Sequence, residues 1–334
     1  MDSRVFSNDV LVAVVRRFRP AAAVSEIAAA HGSGLSDATV WRVDTTEGPL
    51  RLKAYPGKGA AAAACFARQS LLAELANRLP LVAAPLPTAE GKFTFATQEC
   101  CWELTRWLPG EPLPTGKLPP QTIRDAMRAL ARFHLACQEA GPVDRRKPEA
   151  ARDRLERLRS WYAKPAPTPA NTPHVALREP YQRLRDAVGG IGRPRLLELE
   201  WRLAEAADVE MPVIHCWGDA RRENMLWDGT TVTGLIDFAA LRLDSPAVDL
   251  ASLVGSLCEC DRSAAAAAMQ AYHSIRQIVV EERRLTEALL ACWPVLTAAN
   301  WLTWLGDPEF IVRDPAAVAR RLDVTFRRLA HPCQ

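Results

Sequence analysis

The sequence predicts a two-lobed α+β fold, with an antiparallel, strand-rich N-terminal lobe over residues 1–107 and a mostly helical C-terminal lobe over residues 108–334. Three observations lead to it. Before residue 107, short runs rich in Val, Thr, Trp and Leu alternate with turns containing Gly and Pro. The stretch Leu108-Pro109-Gly110-Glu111-Pro112 then breaks the pattern as a lobe boundary. Beyond residue 119 apolar side chains recur at helical spacing, except for one strand and hairpin between residues 213 and 238.

A chain of 334 residues can bury two sizeable cores, and 49% hydrophobic with 24% charged residues is ordinary for a soluble globular protein. A net charge of +3 points to no polyanionic partner. The basic runs at residues 16–19 and 145–147 read as solvated faces, so neither nucleic acid nor membrane is expected as a partner. Nine cysteines with no paired CxxC fit neither a zinc site nor a disulfide framework, and reduced thiols in a cytoplasmic setting are expected. The start, MDSRVFSNDV, lacks a signal-peptide pattern. Residues 288–306 carry no formal charge, but Pro294, Thr297, Asn300 and Thr303 among many alanines favour a buried helix over a membrane span.

In chain order, Leu11, Val14, Val15 and Phe18 share one face of a leading helix. Strands are expected at 22–29, 38–43 and 50–54, with the turn His31-Gly32-Ser33-Gly34-Leu35-Ser36-Asp37 after the first. A helix follows at 60–78, then strands at 86–89 and 93–98 around Glu90-Gly91-Lys92, and an extended segment at 101–107. Helices are expected at 122–138, 149–162, 179–188 and 193–207, and after the hairpin at 246–258, 262–279, 281–305 and 316–329. Ser245 before Pro246 suits an N-cap.

The chemistry is concentrated in residues 211–250, MPVIHCWGDARRENMLWDGTTVTGLIDFAALRLDSPAVDL. Val213-Ile214 reads as a buried strand and residues 218–223 as a polar loop. Met225-Leu226-Trp227 and residues 232–238 form a hairpin about the turn Asp228-Gly229. That arrangement carries Asp219, Asn224 and Asp237 to one end. Two carboxylates and an amide oxygen are hard donors suited to Mg²⁺ and a phosphate.

Asp219-x-x-x-x-Asn224, the hairpin, Ile236-Asp237-Phe238 and the later Asp244-Ser-Pro-Ala-Val-Asp249-Leu250 resemble the aminoglycoside phosphotransferase and choline kinase branch of the protein kinase-like fold. The resemblance implies that Asp219 positions and deprotonates an acceptor hydroxyl, while Asn224 and Asp237 hold the Mg²⁺ that bridges the phosphates of ATP or another nucleoside triphosphate. It makes Lys53 a contact to the α and β phosphates, with Arg51 its rival on the same strand face. Gly32, Ser33 and Gly34 would offer donors to the phosphates. Glu74, the one acidic residue between Glu47 and Glu90, would pair with Lys53. Residues 103–107 would form a hinge whose backbone reads adenine. Asp249 would accept N–H bonds from the loop around Asp219, and His134 would pack in the core. Arg221 and Arg222 would either neutralise charge on the transferring group or form surface salt bridges.

Two departures bear on activity. Trp217-Gly218-Asp219 stands where the family has His-Gly-Asp, so hydrogen bonds beneath the loop must come from elsewhere. No Ala-Pro-Glu follows Asp237, which argues against a protein acceptor. The expected function is transfer of a γ-phosphoryl group to a hydroxyl of a small molecule. The alternative is a catalytically silent nucleotide-binding or scaffold protein. Trp293, Trp301, Trp304 and Phe310 read as core packing before they read as a wall for a cationic acceptor.

Overall fold

The structure is a computed structural model. It describes residues 6–30, 38–56, 60–97, 100–113, 116–141, 143–162, 175–229, 231–258, 261–307, 310, 312 and 314–330, with backbone only for 60–64. In chain order the elements begin α1 (Asn8–Phe18), β1 (Val24–Ala29), β2 (Thr39–Thr45), β3 (Gly48–Pro56), α2 (Ala60–Arg78), β4 (Phe95–Ala96), β5 (Cys100–Arg106) and β6 (Glu111–Pro112). They continue α3 (Pro120–Ala140), β7 (Asp144–Arg146), α4 (Glu149–Tyr162), α5 (Arg178–Gly189), α6 (Arg193–Ala207), β8 (Met211–Cys216), β9 (Met225–Asp228) and β10 (Thr231–Leu235). Last come β11 (Arg242–Asp244), α7 (Pro246–Cys258), α8 (Arg262–His273), α9 (Val280–Gly306) and α10 (Pro315–Ala330).

These elements form two compact units, one of Met1–Pro114 with Glu223–Leu241, the other of Thr115–Arg222 with Arg242–Gln334. The first unit is built on an antiparallel sheet in the order β1-β2-β3-β5-β4. Leu50, Leu52 and Ala54 of β3 alternate with Arg51, Lys53 and Tyr55, so one face of the strand is apolar and the other is polar. The apolar face meets α1, whose Leu11, Val14, Val15 and Phe18 join Trp41, Val43, Trp102 and Leu104 in one core. Ser7 starts α1 by accepting the Val10 N–H on its side chain. On the polar face, the β3–β5 register sets Lys53 opposite Glu103.

The hairpin β9–β10 belongs to this same unit. It turns through Gly229 at φ +58°, and β6 pairs with β9 on its other side. Gly110 at φ +98° leads into β6, and its missing Cβ leaves room for the Trp227 carbonyl. The boundary expected at residue 107 therefore lies inside the first unit, because the strand pairing of Glu111 and Pro112 continues its sheet structure past the proline-rich stretch.

The second unit packs helices around the three-stranded sheet β11-β8-β7. Its central helix, α7, is buried around nearly its whole circumference. The long α9 supplies Leu285, Leu289 and Val295 to a core shared with α4, α6 and α7. Farther along, Ala298, Trp301, Leu302 and Leu305 enter a second core with α5 and α10. It is the one helix among the described residues long and apolar enough to cross a membrane, and 56% of its most apolar window is buried in the fold, as expected of a core helix.

Three sequence expectations are corrected. Residues 86–89 do not form a strand: Leu86 donates to the Leu104 carbonyl, but Pro87 has no N–H with which to extend a ladder. The strand expected at 93–98 is reduced to Phe95–Ala96. The helix expected over 262–279 ends at His273, whose ring accepts the Ile278 N–H, and the next helix begins where the Glu282 carboxylate accepts the Val279 N–H.

Candidate active site

The first unit brings together Lys53, Asn224 and Asp237. Pairing of Met225 with Leu235 carries the hairpin back to its base, and the Ile236 N–H donates to the Asn224 carbonyl at 2.9 Å. Asp237, the next residue, sits at φ 60°, ψ 67°, the one non-glycine residue with positive φ among those described. An L side chain there is strained, which is most often tolerated where a side chain must be aimed. Its carboxylate Oδ1 accepts from Lys53 Nζ at 2.9 Å. The Lys53 side chain is 3% exposed and that of Asp237 31%.

Burial would push the Asp237 carboxyl up, but the charge and hydrogen bond of Lys53, with Arg51 behind, hold it below the ordinary range. Burial and the Arg51 charge pull the Lys53 ammonium down, against Asp237 and Glu103. A carboxylate kept ionised and a neighbouring amide residue make an all-oxygen donor set, which fits a hard divalent cation. Of the two cations on the β3 face, Lys53 is the one on Asp237, while Arg51 lies 3.8 Å from Glu103.

Glu74 does not meet Lys53. It is exposed on α2 and pairs with Arg78 one turn on, at 3.2 Å. Helical phase explains the correction: Leu72 and Leu75 point inward, so the residue between them at 74 faces solvent. The buried carboxylate of this unit is instead Glu103 on β5, within the segment expected to act as a hinge. It accepts from the Tyr55 hydroxyl at 3.0 Å and from the Gln69 amide, with Arg68 3.6 Å away. The extended segment was legible in sequence; its register against Lys53 was not. Gly32, Ser33 and Gly34 lie outside the described residues.

The second unit carries the loop Trp217-Gly218-Asp219-Ala220-Arg221-Arg222, which leaves β8 with Gly218 at φ +81°. Asp249 on α7 accepts the N–H groups of Trp217 at 2.6 Å and Gly218 at 2.8 Å. The role the resemblance implied for Asp249 is thus observed. Behind it a buried chain of hydrogen bonds runs through four helices. His134 of α3 lies 3.1 Å from Asp249 by Nε2 and 2.6 Å from the Tyr272 hydroxyl by Nδ1. Arg276 donates to Tyr272 at 3.3 Å and clamps Glu282 at 2.7 and 3.0 Å.

The directions follow from the ends: Arg276 can only donate, so the Tyr272 O–H turns to Nδ1 and His134 Nε2–H points at the Asp249 carboxylate. This network supplies hydrogen bonding beneath the loop that Trp217 cannot. Trp217 itself is fully buried and packs its ring 6.3 Å from that of Phe133. Asp249, His134 and Cys216 place possible metal-binding atoms within 4.8 Å of one another. Cys216 donates to the Asp244 carbonyl, burial pushes its thiol well up, and both His134 nitrogens are engaged. His134 and Asp249 are bonded to each other and the Cys216 thiol to the main chain, so these groups are engaged within the fold.

On the loop, Arg221 pairs with Asp219 at 2.7 Å, both side chains part exposed. Arg222 has a different place from the one expected. It is 3% exposed, its guanidinium donates to the carbonyls of Gly116 at 2.7 Å and Ser256 at 3.4 Å, and its N–H donates to the Ser256 hydroxyl. Arg222 anchors the loop within its own unit. Adjacent arginines are indistinguishable in sequence, and only the fold separates the exposed one from the buried one.

Residues 27–289 match the model of the family described as the phosphotransferase enzyme family. No curated protein matches the chain. Among solved structures it resembles an aminoglycoside phosphotransferase from Alicyclobacillus acidocaldarius subsp. acidocaldarius DSM 446, at 19% identity and TM-score 0.56, over 98% of this chain and 94% of that one. A spectinomycin phosphotransferase in complex with ADP and spectinomycin aligns at 12% identity and TM-score 0.66, over 99% and 97%. An amicoumacin kinase in complex with AMP-PNP, Ca²⁺ and its ligand aligns at 12% identity and TM-score 0.60, over 96% and 93%. The fold, a strand-rich N-terminal region with a helical C-terminal region, is the kinase-like one of these proteins.

Proposed function

The chain belongs to the phosphotransferase enzyme family, and we propose that it moves the γ-phosphoryl group of ATP, or another nucleoside triphosphate, to a hydroxyl of a small molecule. The observation that carries this reading is the Lys53–Asp237 ion pair at the base of the Asn224 hairpin. It sets a buried ammonium beside oxygen donors, which is what a triphosphate with its cation requires. The similar proteins crystallised with ADP and spectinomycin, or with AMP-PNP and Ca²⁺, support a nucleotide, a divalent cation and a small acceptor.

In this reading Asn224 and Asp237 hold Mg²⁺, and Lys53 binds phosphate oxygens. Gly32, Ser33 and Gly34 add donors to the phosphates. When bound, Mg²⁺ draws negative charge from the transferring group. Asp219 orients the acceptor hydroxyl in line and takes its proton. Its ion pair with Arg221 leaves Arg221 beside the reacting group. Arg222 has no part in the chemistry.

The test is ATP consumption and phosphate transfer across a panel of amino alcohols, sugars and hydroxylated antibiotics, with Mg²⁺. Asp219→Asn should lower turnover by about a hundredfold or more, as loss of a positioned general base does, while nucleotide affinity stays unchanged. Full transfer by Asp219→Asn would remove Asp219 from the role of base. Nucleotide binding by the wild type with no turnover on any acceptor would favour the silent alternative.

A further inference from the structure

We propose that Glu103, a strand residue, is the positioning residue for Lys53, the task expected of a glutamate on the α2 helix. For its enzymatic consequence the inference rests on the phosphotransfer reading above. Lys53 is almost fully buried, and a buried ammonium needs negative charge close by. Asp237 supplies one charge, but in that reading its carboxylate also holds the cation. A second carboxylate, not engaged by the metal, is needed to keep the ammonium in place.

Glu103 has the geometry for this. It is the direct cross-strand partner of Lys53, and such pairs place their Cβ atoms about 5 Å apart. Tyr55 lies two residues along β3, on the same face. Its hydroxyl donates to Glu103 Oε1 at 3.0 Å, and its ring lies 4.6 Å from Lys53 Nζ and 5.0 Å from the Arg68 guanidinium. Arg51 at 3.8 Å and Arg68 at 3.6 Å flank the carboxylate, and the Gln69 amide of α2 donates to Oε2. Glu103 is thus a second carboxylate, after Asp237, beside the cations Lys53, Arg51 and Arg68, and it holds the aromatic ring against which Lys53 lies.

Gln69 occupies the helix position facing the strand carboxylate, so the acid is on the strand and the amide on the helix. Exchanging them tests the idea. Glu103→Gln should raise the KM for the nucleoside triphosphate about tenfold, in the range of losing a buried charge partner, with little change in the acceptor KM. Gln69→Glu should be impaired too, because it opposes two buried carboxylates. The double variant Gln69→Glu/Glu103→Gln keeps one acid and one amide in the same contact and should recover most of the nucleotide KM.

A second readout needs no turnover: acetylation of Lys53 by acetic anhydride at one fixed pH, followed by peptide mass spectrometry. Glu103→Gln should accelerate it about tenfold as charge pairing and packing are lost, Tyr55→Phe should accelerate it less, and Glu74→Gln not at all. The exposed Lys147 serves as the internal reference for reagent dose, and the urea midpoint of each variant reports global loosening. Wild-type Lys53 reactivity in Glu103→Gln, or failure of the double variant to recover, overturns the inference. A wild type without phosphotransfer overturns the proposed function alone, since the acetylation result still decides what holds Lys53.

Discussion

The Asp249 carboxylate accepts the main-chain N–H of Trp217 at 2.6 Å, fastening the loop that carries Asp219 to helix α7. The same carboxylate accepts from Gly218 and lies against His134, so two buried amides and an imidazole depend on it. Asn in its place has one acceptor oxygen and adds a donor among donors. Asp249→Asn should therefore cost on the order of 3 kcal/mol, the range for leaving buried donors unmet. Urea unfolding measures this, and a cost near zero would mean the loop is held otherwise.

The same network makes stability depend on pH. Burial depresses the His134 imidazole below its ordinary 6.5, aided by Arg276 and opposed by Asp249 and Glu282. The unfolded chain takes up a proton near pH 6.5 that the fold resists, so below that pH the unfolded state binds more protons. This contribution is complete above 6.5 and is lost as pH falls from there toward the lower folded value. Urea midpoints should fall in that window for the wild type, and His134→Gln should flatten the fall while lowering stability throughout. An unchanged slope in the variant would assign the pH dependence to other groups.

Trp217→His recreates the triplet of the resembled family but should not improve the protein. The indole is fully buried against Phe133, and His134 already serves Asp249 from the other side. Imidazole leaves a cavity, for a loss of about 2 kcal/mol or more on the scale of large-to-small core changes. Thermal melting checks stability, and turnover should stay level or fall. A clear rise in activity would show that Trp217 limits the enzyme.

Two glycines should respond oppositely to alanine. At Gly110, with φ +98°, an added Cβ would lie 2.5 Å from Thr233 Oγ1 and 2.6 Å from the Trp227 carbonyl oxygen. Gly110→Ala should cost about 2 kcal/mol or more through strain and clash. Gly189, at the end of α5 with ordinary φ, meets nothing within 4 Å, and Gly189→Ala should be neutral or stabilising by a few tenths of a kcal/mol. Urea midpoints of the two variants decide the matter. Equal effects would show that the β6–β9 pairing yields easily.

By itself the sequence determined what is local or periodic. The 3.6-residue and two-residue alternations marked α1, α2, α3, α4, α10 and the strand β3, because burial on one face imposes a period on the residues themselves. The loop, hairpin base and strand end that carry Asp219, Asn224 and Asp237 were legible because they lie within nineteen residues. Tertiary structure decided what depends on which faces meet. Glu74 and Glu103 are both acidic residues of the first unit, yet helix phase sends one to solvent and sheet register sets the other opposite Lys53. Arg221 and Arg222 are neighbours, yet one lies on Asp219 and the other is buried on carbonyls more than thirty residues away in sequence. His134, Asp249 and Tyr272 come from separate helices and Arg276 from the loop after α8, and only close packing makes them one chain of hydrogen bonds. Spacing along the chain records local geometry; the partner of a buried charge is set by long-range register, which a single sequence does not encode in any short window.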